Sequence, residues 1–91
     1  MKTTLNITQT DIERGEQDSM SHCPIARAAL RKFRDAARVQ VSDDILCVTS
    51  KRGKRVLFAL PEEASAFVQD FDGGDYVQPF SFTVDIRTPI P

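Results

Sequence analysis

The sequence predicts a single α+β domain over residues 1–91, a two-layer sandwich in which an antiparallel sheet of four to five strands carries two to three helices on one face. Three observations predict it. Alternating stretches and helical-period stretches follow one another in the order β-α-α-β-β-β-α-β. The three central strands are separated by turns too short for crossovers, so they form an antiparallel meander. The chain is one domain long, at 91 residues with 41% hydrophobic and 27% charged residues, a globular and not a disordered composition.

Residues 3–7 alternate, with Leu5 and Ile7 directed inward, and form the first strand. Thr8-x-x-Asp11 is a capping pattern that starts a short helix, and Gly15 is expected to stop it in a left-handed conformation. Residues 16–22 have no periodicity and read as a loop. Pro24 suits the first position of a second helix, whose buried stripe is Ile25, Ala26, Ala29, Leu30, Phe33 and Ala37. On that helix Arg27, Arg31, Arg34 and Arg38 fall three and four apart, as a basic ridge.

Val39-Gln40-Val41 is a strand, and Ser42-Asp43-Asp44 is turn chemistry. Ile45 to Thr49 is the next strand. Ser50-Lys51-Arg52-Gly53-Lys54 is a hairpin turn with Gly53 free to take a positive φ, and Arg55 to Leu60 is the returning strand. Pro61-Glu62-Glu63 opens a third helix with an Ala64, Phe67, Val68, Phe71 stripe, closed by Asp72-Gly73-Gly74-Asp75. Phe80 to Ile86 alternates strictly as a last strand, and residues 88–91 read as a loose tail.

Composition bounds the function. No apolar run approaches the roughly 18 residues of a membrane span. The start of the chain alternates and soon turns acidic, unlike a signal peptide. Cys23 and Cys47 are too few for a disulfide framework, and they read as reduced thiols of a cytoplasmic protein, with one Cys23–Cys47 bridge as the alternative. Net charge is −1 but segregated. Residues 27–55 hold nine basic residues against three acidic, a net +6, while residues 56–91 hold six acidic against one basic, a net −5.

The pattern Cys23-Pro24-Ile25-Ala26-x-Ala28, then Leu60-Pro61, Ala64-x-x-Phe67-Val68-x-x-Phe71-Asp72-x-Gly74 and Val77-x-Pro79-Phe80-x-Phe82, resembles a group of small uncharacterised proteins encoded by bacteriophages and prophages. The resemblance spans most of residues 5–86. It implies a phage accessory protein in the host bacterial cytoplasm, a class that often inhibits host defence by gripping a defence protein or sequestering a signalling nucleotide. It brings no catalytic residue.

The chemistry of the residues points to binding an anionic partner. Arg27, Arg31 and Arg34 on the helix, with Lys51, Arg52 and Lys54 on the hairpin, are the expected contacts to phosphate or carboxylate. Ser21 and His22 add donors at the entry to the second helix, where free amides favour an anion. A solvated basic face balanced by the acidic third helix is the alternative reading. Other readings are a DNA- or RNA-binding regulator, or a homo-oligomer pairing through a sheet face bearing Val39, Val41, Val56 or Phe58. Scarce aromatics argue against a platform for single strands.

Catalysis is not expected. Cys23 and His22 are adjacent, which rarely aligns a base with a nucleophile, and no second histidine exists. Cys23, His22 and Cys47 match no zinc spacing, and Asp70, Asp72 and Asp75 lack the order and closing glutamate of an EF-hand, so no cofactor or metal is expected.

Overall fold

A computed structural model describes the backbone of residues 2–42 and 44–90 and the side chains of residues 2–42 and 44–85. The elements follow the predicted order: β1 (Lys2–Ile7), α1 (Gln9–Arg14), α2 (Pro24–Lys32), β2 (Ala36–Val41), β3 (Ile45–Ser50), β4 (Arg55–Ala59), α3 (Glu62–Asp72) and β5 (Phe80–Ile90). One antiparallel sheet has the order β1-β5-β4-β3-β2. The first and last strands thus complete the sheet, with β5 between β1 and the meander.

Alternation decides which face is buried. Leu5, Ile7, Val39, Val41, Leu46, Val48, Phe58, Phe82 and Val84 point to the helices and are buried. Thr4, Asn6, Ser81 and Thr83 point the other way and pair across β1 and β5 by hydrogen bonds. Val39, Val41 and Phe58 therefore cannot form the exposed oligomer face expected of them, because the helix layer covers that side. The sheet curls, and α2 lies against both edge strands, β1 and β2. The Met20 carbonyl accepts from the Val41 amide and so occupies part of the outer edge of β2.

The caps explain the helix boundaries. Thr8 and Asp11 form a full capping box. Gly15 does not end α1 by a left-handed turn: its φ is −69°. Glycine is needed there for space, since a Cβ would lie 2.7 Å from Pro24 Cδ and 2.8 Å from the Asp11 carbonyl oxygen. At the end of α3, Gly74 (φ +81°) is the left-handed residue, with Asp75 N–H donating to the Asp70 carbonyl and Gly74 N–H to that of Phe71.

Two expectations about α2 fail. Its buried arc is Ile25, Ala26, Ala28 and Ala29, and at 100° per residue Leu30 falls about 120° from the middle of that arc. Leu30 is accordingly 41% exposed. The helix also ends at Phe33, whose amide closes the last turn onto the Ala29 carbonyl. The ring of Phe33 stacks on Phe58 at 5.3 Å, and the chain turns directly into β2. Arg34 is therefore in a turn and Arg38 in a strand. The arginine spacing is helical, but pairing of residues 36–41 with β3 overrides it.

The last strand runs beyond the expected Ile86 to Ile90, and residues 88–90 pair with β4 where a loose tail was expected. Asp43 of the Ser42–Asp44 turn and Pro91 of the tail lie outside the described residues.

Candidate functional site

The expected anion-binding residues divide into three places. The first is the back of α2. Arg27 and Arg31 lie away from the sheet, and α1 packs there. Arg31 donates to both carboxylate oxygens of Asp11 at 2.9 Å, and also to the Asn6 carbonyl at 3.0 Å. Arg27 Nε lies 3.5 Å from the same carboxylate. Asp11 is fully buried, and it also accepts from the Thr8 amide at 3.0 Å. Burial by itself raises the Asp11 carboxyl, but the Arg31 hydrogen bonds and the Thr8 groups outweigh it and hold the carboxyl down at about 2. Both arginines are thus spent on the protein's own aspartate. Their role is to join α1, α2 and the edge of β1, and the basic ridge expected on this helix is not a free surface.

The second place is the entry to α2. Cys23 caps the helix, its Sγ accepting from the Ala26 amide at 3.5 Å, and burial raises its thiol above the ordinary value. A buried thiol held protonated is a poor nucleophile. His22 is exposed and turned to Ser19, with Nδ1 3.4 Å from the Ser19 hydroxyl. The adjoining hollow is lined by Asp18 and Asp72, together with Met20, Val41 and Val68. Asp72 accepts from the Asp18 amide at 2.9 Å. Two carboxylates in the hollow that Cys23 lines make this entry unfavourable to an anion. Cys23 and Cys47 are free thiols, and they lie on opposite sides of the sheet, Cys47 alternating outward between buried Leu46 and Val48. Among the described residues no group of three or more His, Cys, Asp or Glu is placed to hold a metal.

The third place is the hairpin between β3 and β4. Ser50 N–H donates to the Lys54 carbonyl at 2.8 Å, and Gly53 N–H to the Ser50 carbonyl at 2.9 Å. Gly53 takes φ +86° with open space around it, which gives a three-residue loop with a left-handed last residue. The Lys51 amide donates to the Asp35 carbonyl at 2.9 Å, so the hairpin is tied to the turn that follows α2. Between these two turns lies an open groove of about 580 Å³. Phe33, Val48, Val56 and Phe58 form its floor, and Ser50, Lys51, Arg52, Lys54 and Asp35 its rim. Arg34 sits in the same turn as Asp35. Arg38 and Arg55 flank Thr49 on the opposite face of the same end of the sheet. Among the described residues, none of Arg34, Arg38, Lys51, Arg52, Lys54 and Arg55 is in an ion pair.

The structure therefore brings Arg34, Lys51, Arg52 and Lys54 to one end of the molecule and leaves Arg27, Arg31, Ser21 and His22 elsewhere. Sequence reasoning missed the apolar half of the groove. Phe33 reads as a core position of a longer helix, and the turn after α2 meets the hairpin tip through long-range contacts, the pairing of Ala36 with Ser50 and the Lys51–Asp35 hydrogen bond. No family model, curated protein or solved structure matches the chain. No helix among the described residues is long and apolar enough to cross a membrane.

Proposed function

We propose that this chain is a non-enzymatic binding module that captures an anionic partner at the cationic end of its sheet. Its setting is that of a phage or prophage accessory protein acting against host defence, and the partner is a signalling nucleotide or an acidic surface of a defence protein. The setting rests on the residue pattern around Cys23-Pro24 and Leu60 to Phe82. One observation carries the binding itself: Lys51, Arg52 and Lys54 stand on the rim of an open groove, with no carboxylate of a described residue paired to them. The three-residue hairpin holds the backbone positions of these cations together before a ligand arrives, so binding has only their exposed side chains left to order.

Titration calorimetry with inorganic tripolyphosphate at low salt tests this. Binding in the micromolar range is expected, about −8 kcal/mol, weakening as the ionic strength rises and the Debye length shrinks to about 8 Å. Absence of heat at low salt, with the protein folded, contradicts the proposal.

A further inference from the structure

The charge segregation in the sequence becomes a polarity of the whole molecule. β5 runs 11 residues, from Phe80 opposite Ile7 to Ile90 opposite Arg55, and so joins the two ends. At the Arg55 end are the hairpin cations and the groove. At the Phe80 end α3 finishes and the acids gather: Asp18 meets Asp72, and Asp70 and Asp75 border Tyr76. Tyr76 is 84% exposed, the most exposed of the large hydrophobic side chains among the described residues. It lies two residues after the left-handed Gly74. The molecule measures 37 × 22 × 19 Å, and the length of β5 separates the two ends of one chain.

These ends are complementary in kind. One is an apolar floor with a cationic rim, and the other an aromatic side chain among carboxylates. We propose that a second copy of this chain docks its Tyr76 corner in the groove, with Tyr76 on the Phe33–Val56 floor and Asp70 and Asp75 against Lys51 and Arg52. The contact is heterologous, head to tail, so a copy that donates its corner still has its own groove free, and assembly proceeds beyond a dimer unless the rotation closes a ring. Opposite charges at the two ends steer the copies into this orientation and oppose the reverse. The contact uses the groove of the proposed function but does not depend on it, since an anionic partner would compete for the same floor and rim.

Sedimentation equilibrium of the intact chain tests it. From about 10 µM to about 1 mM at low salt, a range that spans a weak Kd, the weight-average mass is expected to at least double from the 10.2 kDa of one chain. It should return to one chain in about 0.5 M salt, where the screening length is only a few ångströms. Tyr76→Ala should abolish the association. Lys51→Glu/Arg52→Glu and Asp70→Lys/Asp75→Lys should each stay monomeric alone and associate when mixed, because each supplies the end the other needs. A mass fixed at one chain throughout overturns the inference, as does association that survives Tyr76→Ala. Tripolyphosphate binding by a chain that never associates would leave the proposed function standing and remove this inference alone. Association without tripolyphosphate binding would do the reverse.

Discussion

Arg31→Ala is expected to destabilise the fold by about 3 kcal/mol, at the low end of the cost of leaving one member of a buried ion pair without its partner. The side chain of Arg31 is half-exposed, but that of Asp11 is not exposed at all, so the loss is set by the carboxylate. In the variant Asp11 keeps the Thr8 amide and a distant Arg27 Nε, and loses two charge-assisted hydrogen bonds of 2.9 Å. Urea unfolding measures the effect as a lowered midpoint with an unchanged slope. The pH dependence identifies its cause. Asp11 is held at about 2 in the folded chain against an ordinary 3.8, a depressed value. Its contribution, about 2 kcal/mol, is therefore present in full above about pH 4 and is lost as pH falls through 2. The gap between native and variant chains should narrow over that same window. A constant gap from pH 7 to pH 2 would show that Arg31 acts through packing alone.

The second large effect is on binding. Replacing Lys51, Arg52 and Lys54 together with alanine is expected to weaken tripolyphosphate binding about 100-fold, given several-fold per solvent-exposed cation. Stability should move little, because the hairpin geometry rests on backbone hydrogen bonds, the Ser50 hydroxyl and Gly53, none of which the substitutions touch. Arg31→Ala, examined at neutral pH where enough of the chain is folded, should leave binding within about twofold, since Arg31 is committed to Asp11. The reverse ranking would restore the helix as the anion site.

The fold was legible in the sequence where local chemistry and packing agree. The Thr8–Asp11 box, Pro24, the α3 stripe and the Ser50–Lys54 turn each specify their element within a few residues. It was illegible where long-range contacts decide. Arg27, Arg31, Arg34 and Arg38 carry a helical period, yet sheet pairing removes the last two from the helix and Asp11 of α1 engages the first two. Asp11 reads as a cap residue, and its second role as a buried counter-ion depends on a helix about 20 residues later. The groove was hidden for the same reason, since its floor joins Phe33 to Phe58 across strands.

In the proposed function, an anion is held by the cations that the fold leaves uncommitted. Amide chemical-shift mapping during a tripolyphosphate titration locates the site. The largest changes are expected to cluster at Ser50 to Lys54 and at Arg34 and Asp35, the two turns joined by the Lys51–Asp35 hydrogen bond. Changes centred instead on Ser21 to Arg31, with the hairpin amides unmoved, would contradict it.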